Sequence, residues 1–227
     1  MTKASLRLIF AAVLLSTLTG TTNCARSQEE IAPPQGKGHV VVFVSGIAGP
    51  KHDKALPQAI AALGYDVYVC DGREIQRSPG PMLRQAIQRA QLLTHSLPGK
   101  VALVGVSLGG GFSLAYGSGW SDLVAVDIVW YPATGFISRF PGFVRRITVP
   151  VLMFAGESDH FENCCLIETA RSLAADAKTA DAPFELVSYP GAGHDFLKGG
   201  SNYNAEAWND ALNRTAAKLK SAFGGSN

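Results

Sequence analysis

The sequence predicts an α/β fold with a mostly parallel central sheet and helices on both faces. Three observations predict it. Short β-branched apolar runs recur along the chain, stretches of helical periodicity separate them, and Gly or Pro marks many of the junctions. A strand covered on both faces reads as a continuous apolar run rather than an alternation. Strands that alternate with helices join in parallel. The chain has 227 residues, 47% hydrophobic and 17% charged, which suits one domain and excludes global disorder. Its 20 basic and 18 acidic residues leave a net charge of +2. That balance makes no case for a nucleic-acid partner.

The elements follow in order. Residues 39–44 form a first buried strand, 54–63 a helix stopped by Gly64, and 65–70 a second strand. Residues 82–97 carry Met82, Ile87, Ala90 and Leu93 at helical spacing, and Pro98-Gly99 ends that helix. A third strand spans 101–106, and a glycine-rich helix runs from Ser107 to Gly117. Strands at 123–131 and 150–155, a helix at 162–177, a strand at 184–189 and a helix at 203–222 complete the pattern. No repeat or low-complexity segment is present, and the tail from Gly224 is expected to fray.

The N-terminus reads differently. Lys3 and Arg7 precede an apolar run at 8–15 and a small, polar stretch at 16–23. Those are the three regions of a secretory signal peptide, placed at 1–25. A polar linker with Pro33, Pro34, Gly36 and Gly38 is expected over 26–38, and the α/β domain over 39–223. The expected product is exported, periplasmic or secreted. Lipid anchorage through Cys24 is the weaker alternative, because Asn23 rather than a small residue precedes it. No later stretch has 18 uninterrupted apolar residues, so no membrane span is expected. No oligomeric state is read from the sequence.

The strongest chemical signal is Gly105-Val106-Ser107-Leu108-Gly109, a G-x-S-x-G pattern between a strand and a helix. The sharp turn there exposes the Ser107 hydroxyl, and the helix N-terminus offers the Leu108 N–H to a developing oxyanion. The alternative is a glycine-rich turn that only packs. A dinucleotide fingerprint is excluded, since no G-x-G-x-x-G follows a strand.

A serine needs a base to take its proton. His194, in Pro190-Gly-Ala-Gly-His194 after the sixth strand, is the best placed of five histidines. His52 is a candidate to line the site, whereas His39 and His95 read as structural. Asp159, after the fifth strand, can orient the imidazole, with Glu157 its rival; Asp127 lies mid-strand, out of reach. The second oxyanion donor is expected from the loop after the first strand, at Ile47 or, second, Gly46.

Arg73 and Arg77, or Arg139, Arg145 and Arg146, could pair with a substrate carboxylate, the alternative being solvated surface arginines. Phe136, Phe140 and Phe143 could wall an acyl pocket or simply pack. Cys164 and Cys165 adjoin. A disulfide is permitted in an exported protein; pairing the two neighbours would be strained, so pairing of either with Cys70 stands beside free buried thiols as an open alternative. Cys and His at metal-ligand spacing do not occur, so no metal is expected. Asn213-Arg214-Thr215 matches a glycosylation acceptor but falls within the last helix.

The stretches Gly105-Val-Ser-Leu-Gly-Gly110, Phe154-Ala-Gly-Glu-Ser-Asp159 and Tyr189-Pro-Gly-Ala-Gly-His194 with Asp195-Phe196 carry a family resemblance. The chain resembles the α/β-hydrolase superfamily, and within it is similar to the dienelactone hydrolase family, over roughly 39–222. The order Ser107, Asp159, His194 is that of the superfamily. The resemblance implies a compact hydrolase without a large lid or cofactor, acting on small-molecule esters or lactones through an acyl-enzyme. Dienelactone hydrolase itself carries Cys as nucleophile; Ser107 in that place points to a carboxylesterase. A peptidase or acyltransferase on the same triad, or a silent binding protein, are the alternatives.

Overall fold

The computed structural model describes residues 29–137 and 140–224. The signal peptide expected over 1–25, Cys24, residues 26–28 of the linker, Arg139 and the last three residues lie outside the described residues.

Seven strands form one sheet: β1 (Glu29–Ile31), β2 (Val40–Val44), β3 (Asp66–Cys70), β4 (Val101–Val106), β5 (Val124–Trp130), β6 (Val151–Gly156) and β7 (Phe184–Tyr189). Their order is β1-β3-β2-β4-β5-β6-β7. β2 to β7 run parallel, and β1 pairs antiparallel with β3, Glu29 opposite Val69. The helices are α1 (Ala55–Ala62), α2 (Gly72–Ile75), α3 (Pro79–Ala90), α4 (Ser107–Tyr116), α5 (Phe140–Val144), α6 (Ile167–Thr179) and α7 (Ala205–Ala222).

Alternate strand residues feed opposite cores, as the pleat requires. Phe43, Val104 and Trp130 pack under α1 and α7 with Leu56, Ile60 and Trp208. Val42 and Leu103 pack under α3 with Leu83 and Ile87. Val129 and Met153 meet α4, α5 and α6 through Leu114, Val144 and Leu173. Beyond α7, the Phe223 ring stacks on His39 with centroids 4.4 Å apart, at the amino end of β2. No helix of the described residues is long and apolar enough to cross a membrane.

Four local differences from the sequence expectation have physical causes. β1 lies inside the stretch read as linker, where three residues satisfy the outer edge of β3. α3 begins at Pro79, a residue well suited to a first helical turn, and ends at Ala90. The chain beyond it turns back, with Gly38 N–H donating to His95 O at 2.9 Å and Leu97 N–H to Gly38 O at 2.8 Å. The helix expected over 162–177 is broken: a 3₁₀ turn at Phe161–Asn163 precedes α6, and Glu162 and Asn163 have φ of 46° and 54°. Between the two pieces Cys164 and Cys165 are joined to each other as a disulfide, and Cys70, buried in β3, takes no part in it.

Candidate active site

The turn from β4 into α4 sets the site. Ser107 adopts φ 48°, a strained conformation for a side chain with a Cβ, which lifts its hydroxyl off the strand end. Two glycines make that turn possible. A Cβ on Gly105 would lie 2.7 Å from the Gly110 backbone, and one on Gly109 would lie 2.3 Å from the Val44 carbonyl oxygen. Ser107 O accepts from Ala133 N–H at 2.8 Å, tying the elbow to the end of β5.

Two loops bring the partners. Asp159 follows β6 and is 1% exposed; His194 follows β7 and is 9% exposed. His194 Nε2 lies 3.0 Å from Ser107 Oγ, and His194 Nδ1 lies 2.8 Å from Asp159 Oδ2. A carboxylate at Nδ1 assigns the proton to that nitrogen and leaves Nε2 to accept from the serine. The free Asp159 oxygen accepts from Phe161 N–H at 3.1 Å, so both carboxylate oxygens are engaged. The imidazole is also gripped by rings. Phe161 stacks on it at 4.5 Å and 10°, and Tyr131 meets it edge-on at 4.9 Å. Asn202 Nδ2 donates to His194 O at 2.8 Å. Glu157, the rival acid, is turned away to Ser188 and Arg171 at 2.7 and 2.8 Å.

These groups open on a cavity of about 200 Å³ lined by Ser107, His194, Gly46, Ile47, His52 and Asp53, with Tyr131, Phe161, Asp195, Ser201 and Asn202 also on its wall. The Leu108 N–H lies in the first turn of α4, where N–H groups have no intrahelical acceptor. Ile47 lines the same cavity, half exposed. Gly46 lines it too, but its N–H donates to Asp53 Oδ2 at 2.7 Å. The second candidate for the oxyanion hole is therefore occupied, and Ile47 is the free one.

A second polar cluster faces the triad. His52 Nε2 lies 2.9 Å from Asp195 Oδ2, which also accepts from Ser201 N–H at 2.7 Å and Ser201 Oγ at 3.1 Å. The Asp195 hydrogen bond raises the His52 pKa, favouring its protonated form. Burial raises Asp53 to about 6, against the Gly46 N–H that favours its ionised form. Burial also holds the Tyr131 phenol well above its ordinary range, so it stays neutral.

Other expected residues lie elsewhere. Arg73 does not line the cavity. Its guanidinium pairs with the Asp71 carboxylate, its Nε 2.9 Å from Oδ1, and packs against Gly49. Arg77, Arg145 and Arg146 are also off the cavity wall, and Arg146 lies over the Phe143 ring at 5.7 Å. Phe136 packs on α4 beside Phe112, with centroids 5.6 Å apart; Phe143 is buried in the core and Phe140 packs against it. Arg73 thus serves surface pairing, and Phe136, Phe140 and Phe143 serve packing. Conversely, Phe161, Tyr131 and Asp53 line the site without a motif to announce them, and Asp195 lines it with no role read from the stretch that contains it. The position of Asp195 beside His194 marks it in the sequence.

Among the described residues, two groups bring three potential metal-ligand atoms within 4.8 Å of one another: Asp159, Cys165 and His194, and His52, Asp53 and Asp195. In both, the donors already have partners. The Cys165 sulfur is in the disulfide, both His194 nitrogens are engaged, and Asp195 Oδ2 takes three donors.

The Dienelactone hydrolase family profile matches residues 73–223, which hold the whole Ser107, Asp159 and His194 constellation. The chain belongs to the dienelactone hydrolase family. It is accordingly a carboxylic ester hydrolase of the α/β-hydrolase superfamily. Solved structures show the same fold. One is a protein classed as a dienelactone hydrolase from Klebsiella pneumoniae subsp. pneumoniae MGH 78578, with TM-score 0.71 and 18% identity over 85% of this chain and 91% of that one. Another is Est1E from Butyrivibrio proteoclasticus, with TM-score 0.67 and 15% identity over 85% and 93%. A third is Thermogutta terrifontis esterase 2 phosphorylated by paraoxon, with TM-score 0.65 and 19% identity over 87% and 89%. No curated protein sequence matches the chain. Within the dienelactone hydrolase family, this member has a serine at the elbow.

Proposed function

We propose that this chain is a serine esterase that cleaves small-molecule carboxylic esters or lactones through an acyl-enzyme on Ser107. The observation that carries the reading is the continuous chain Ser107 Oγ, His194 Nε2, His194 Nδ1, Asp159 Oδ2, with links of 3.0 and 2.8 Å. Ser107 attacks the ester carbonyl as His194 Nε2 takes its proton. Asp159 stabilises the imidazolium, and the Phe161 ring face lies against it. The Leu108 and Ile47 N–H groups bind the oxyanion. His194 then protonates the departing alkoxide, and water repeats the sequence on the acyl-enzyme.

The cavity of about 200 Å³ suits a compact acyl or alkyl group. Among the described residues no arginine stands on its wall, so the carboxylate clamp expected around Arg73 is not part of the proposal. Export after removal of the 1–25 segment belongs to it; N-terminal sequencing of protein recovered outside the cytoplasm should begin near residue 25.

The test is intact-mass labelling with a fluorophosphonate, a reagent class supported by the phosphorylated Thermogutta terrifontis esterase 2. Wild type should gain one adduct and Ser107→Ala none. Ester turnover should fall at least ~10³-fold in the variant. An unlabelled but folded wild type would sink the serine mechanism.

A further inference from the structure

The Ile47 N–H can serve an oxyanion only if its peptide plane is held in one orientation. That donor sits in an exposed loop, where a backbone amide can rotate unless something holds the peptide plane. The structure shows what holds it. Gly46 is fixed at both of its polar groups. Its N–H donates to Asp53 Oδ2 at 2.7 Å, and its C=O accepts from Gly49 N–H at 3.1 Å. The second bond closes a turn over Gly46 to Gly49. In a trans peptide the carbonyl and the following N–H point in opposite directions. With the Gly46 carbonyl drawn into the turn, the Ile47 N–H faces outward from it. Among the described residues no acceptor takes that N–H.

The turn is also seated against the nucleophile. A Cβ on Gly46 would lie 3.2 Å from Ser107 Cβ and 3.5 Å from Asp53 Oδ2. Gly46 therefore lies between the Asp53 carboxylate and the serine. Asp53 is only 3% exposed, an expensive place for a carboxylate. Burial pushes its pKa up to about 6, yet the Gly46 N–H bond pulls toward the ionised form. His52 from its own loop, His194 and Asp195 from the loop after β7, and Tyr131 from the end of β5 carry the charges and polar groups that interact with it.

We propose that Asp53 is a positioning residue whose buried carboxylate, by taking the Gly46 N–H, holds the Gly46–Ile47 peptide with the Ile47 N–H aimed at the reacting carbonyl oxygen. The proposal rests on the serine esterase reading and adds a residue to it. Asp53 touches neither substrate nor nucleophile in this role; it acts through one peptide plane. An oxyanion donor is worth about 10²–10³ in rate, and the loss appears in the transition state rather than in substrate binding.

The experiment compares wild type, Ser107→Ala, Asp53→Ala, Asp53→Asn and Ile47→Pro on p-nitrophenyl butyrate, with inhibition by an aliphatic trifluoromethyl ketone. Proline suits the second position of a turn, so Ile47→Pro deletes the N–H while leaving the turn its preferred φ. Asp53→Ala should lose ~10–10²-fold in kcat with KM within about twofold, and trifluoromethyl ketone affinity should fall in parallel. Asp53→Asn keeps an acceptor oxygen and should recover to within about fivefold of wild type. In the Ile47→Pro background, Asp53→Ala should cost almost nothing further, because its effect passes through the deleted group. Full kcat in folded Ile47→Pro, or an Asp53→Ala loss that leaves ketone affinity intact or persists in the Ile47→Pro background, would overturn the role. If Asp53→Ala fails to fold, the Ile47→Pro and Asp53→Asn results still decide it. An inactive wild type would sink the esterase reading and this role with it, whereas Ser107-dependent turnover with an unaffected Ile47→Pro removes the Asp53 role alone.

Discussion

Ser107 and His194 illustrate what single residues contribute. Ser107 carries a positive φ that its neighbours impose, and the hydroxyl it presents meets an imidazole held by Asp159, Tyr131 and Phe161, on a residue whose backbone carbonyl Asn202 also grips. Phe161 lies almost flat on the ring. A ring face stabilises a cation by about 0.5–1 kcal/mol at partly exposed sites. Phe161→Leu should therefore lower kcat by about two- to fivefold, with Tm nearly unchanged, since the ring is 42% exposed. A loss confined to KM would mean that Phe161 contacts substrate and does not steady the imidazolium. The triad was legible in the sequence because each member falls at a strand end in a Gly-flanked loop. Phe161, Asp53 and Tyr131 were not. They reach the cavity from three separate loops, and no local pattern encodes a convergence that only the closed sheet creates.

Elements obey a different rule. Strands β2 to β6 were legible because both faces are buried and their runs are almost wholly apolar, whereas β7, mostly half-buried with an exposed Glu185, was marked by its β-branched and aromatic residues between turn signals. β1, α2 and α5 have 3, 4 and 5 residues, too few to display a period. α2 exists because Asp71 caps it, accepting from Arg73 N–H at 2.9 Å, and the same carboxylate holds the Arg73 guanidinium, which is off the cavity wall. The break before α6 was hidden by helix-forming neighbours, and its cause, two positive-φ residues followed by adjacent joined cysteines, is local geometry. The junction of β4 and α4 is the least tolerant. A Cβ on Gly109 would stand 2.3 Å from the Val44 carbonyl oxygen and 2.5 Å from that of Ser45, both backbone atoms that cannot swing aside. Gly109→Ala should cost at least ~3 kcal/mol and abolish activity, read by urea unfolding and ester turnover. Gly142→Ala, where the new methyl meets nothing within 4 Å, should be close to neutral.

At the scale of the whole molecule, buried acids set the response to pH. Burial raises Asp53 and Asp66 to about 6 and Asp127 to about 7. Asp127 lies in mid-β5 with no hydrogen bond within 3.5 Å, and its burial outweighs the pull of the Ser113 hydroxyl nearby. Between about pH 4 and 7 the folded state thus binds more protons than the unfolded one, so stability falls as pH rises through that window. His52 acts in the same direction: its raised pKa stabilises the fold at low pH, and that contribution is lost as pH rises. Asp71, held low by Arg73, acts the other way once the pH drops below the usual carboxylate range. Tm should therefore peak near pH 5 and be several degrees lower at pH 8. Asp127→Asn should remove much of the difference, up to about 4 kcal/mol at one pKa unit per ~1.4 kcal/mol. An unchanged pH slope in that variant would show that Asp127 is ionised at little cost.

The two ends of the described chain leave from opposite poles of the sheet. Glu29 opens β1 beside Val69, at the carboxyl ends of the parallel strands where Ser107 stands, while Phe223 packs on His39 at their amino ends. Immobilised through a C-terminal tag, the enzyme would present its cavity to the bulk solution. Grafted to a bead or bilayer through the segment before Glu29, it would work mouth-down, toward whatever the surface carries.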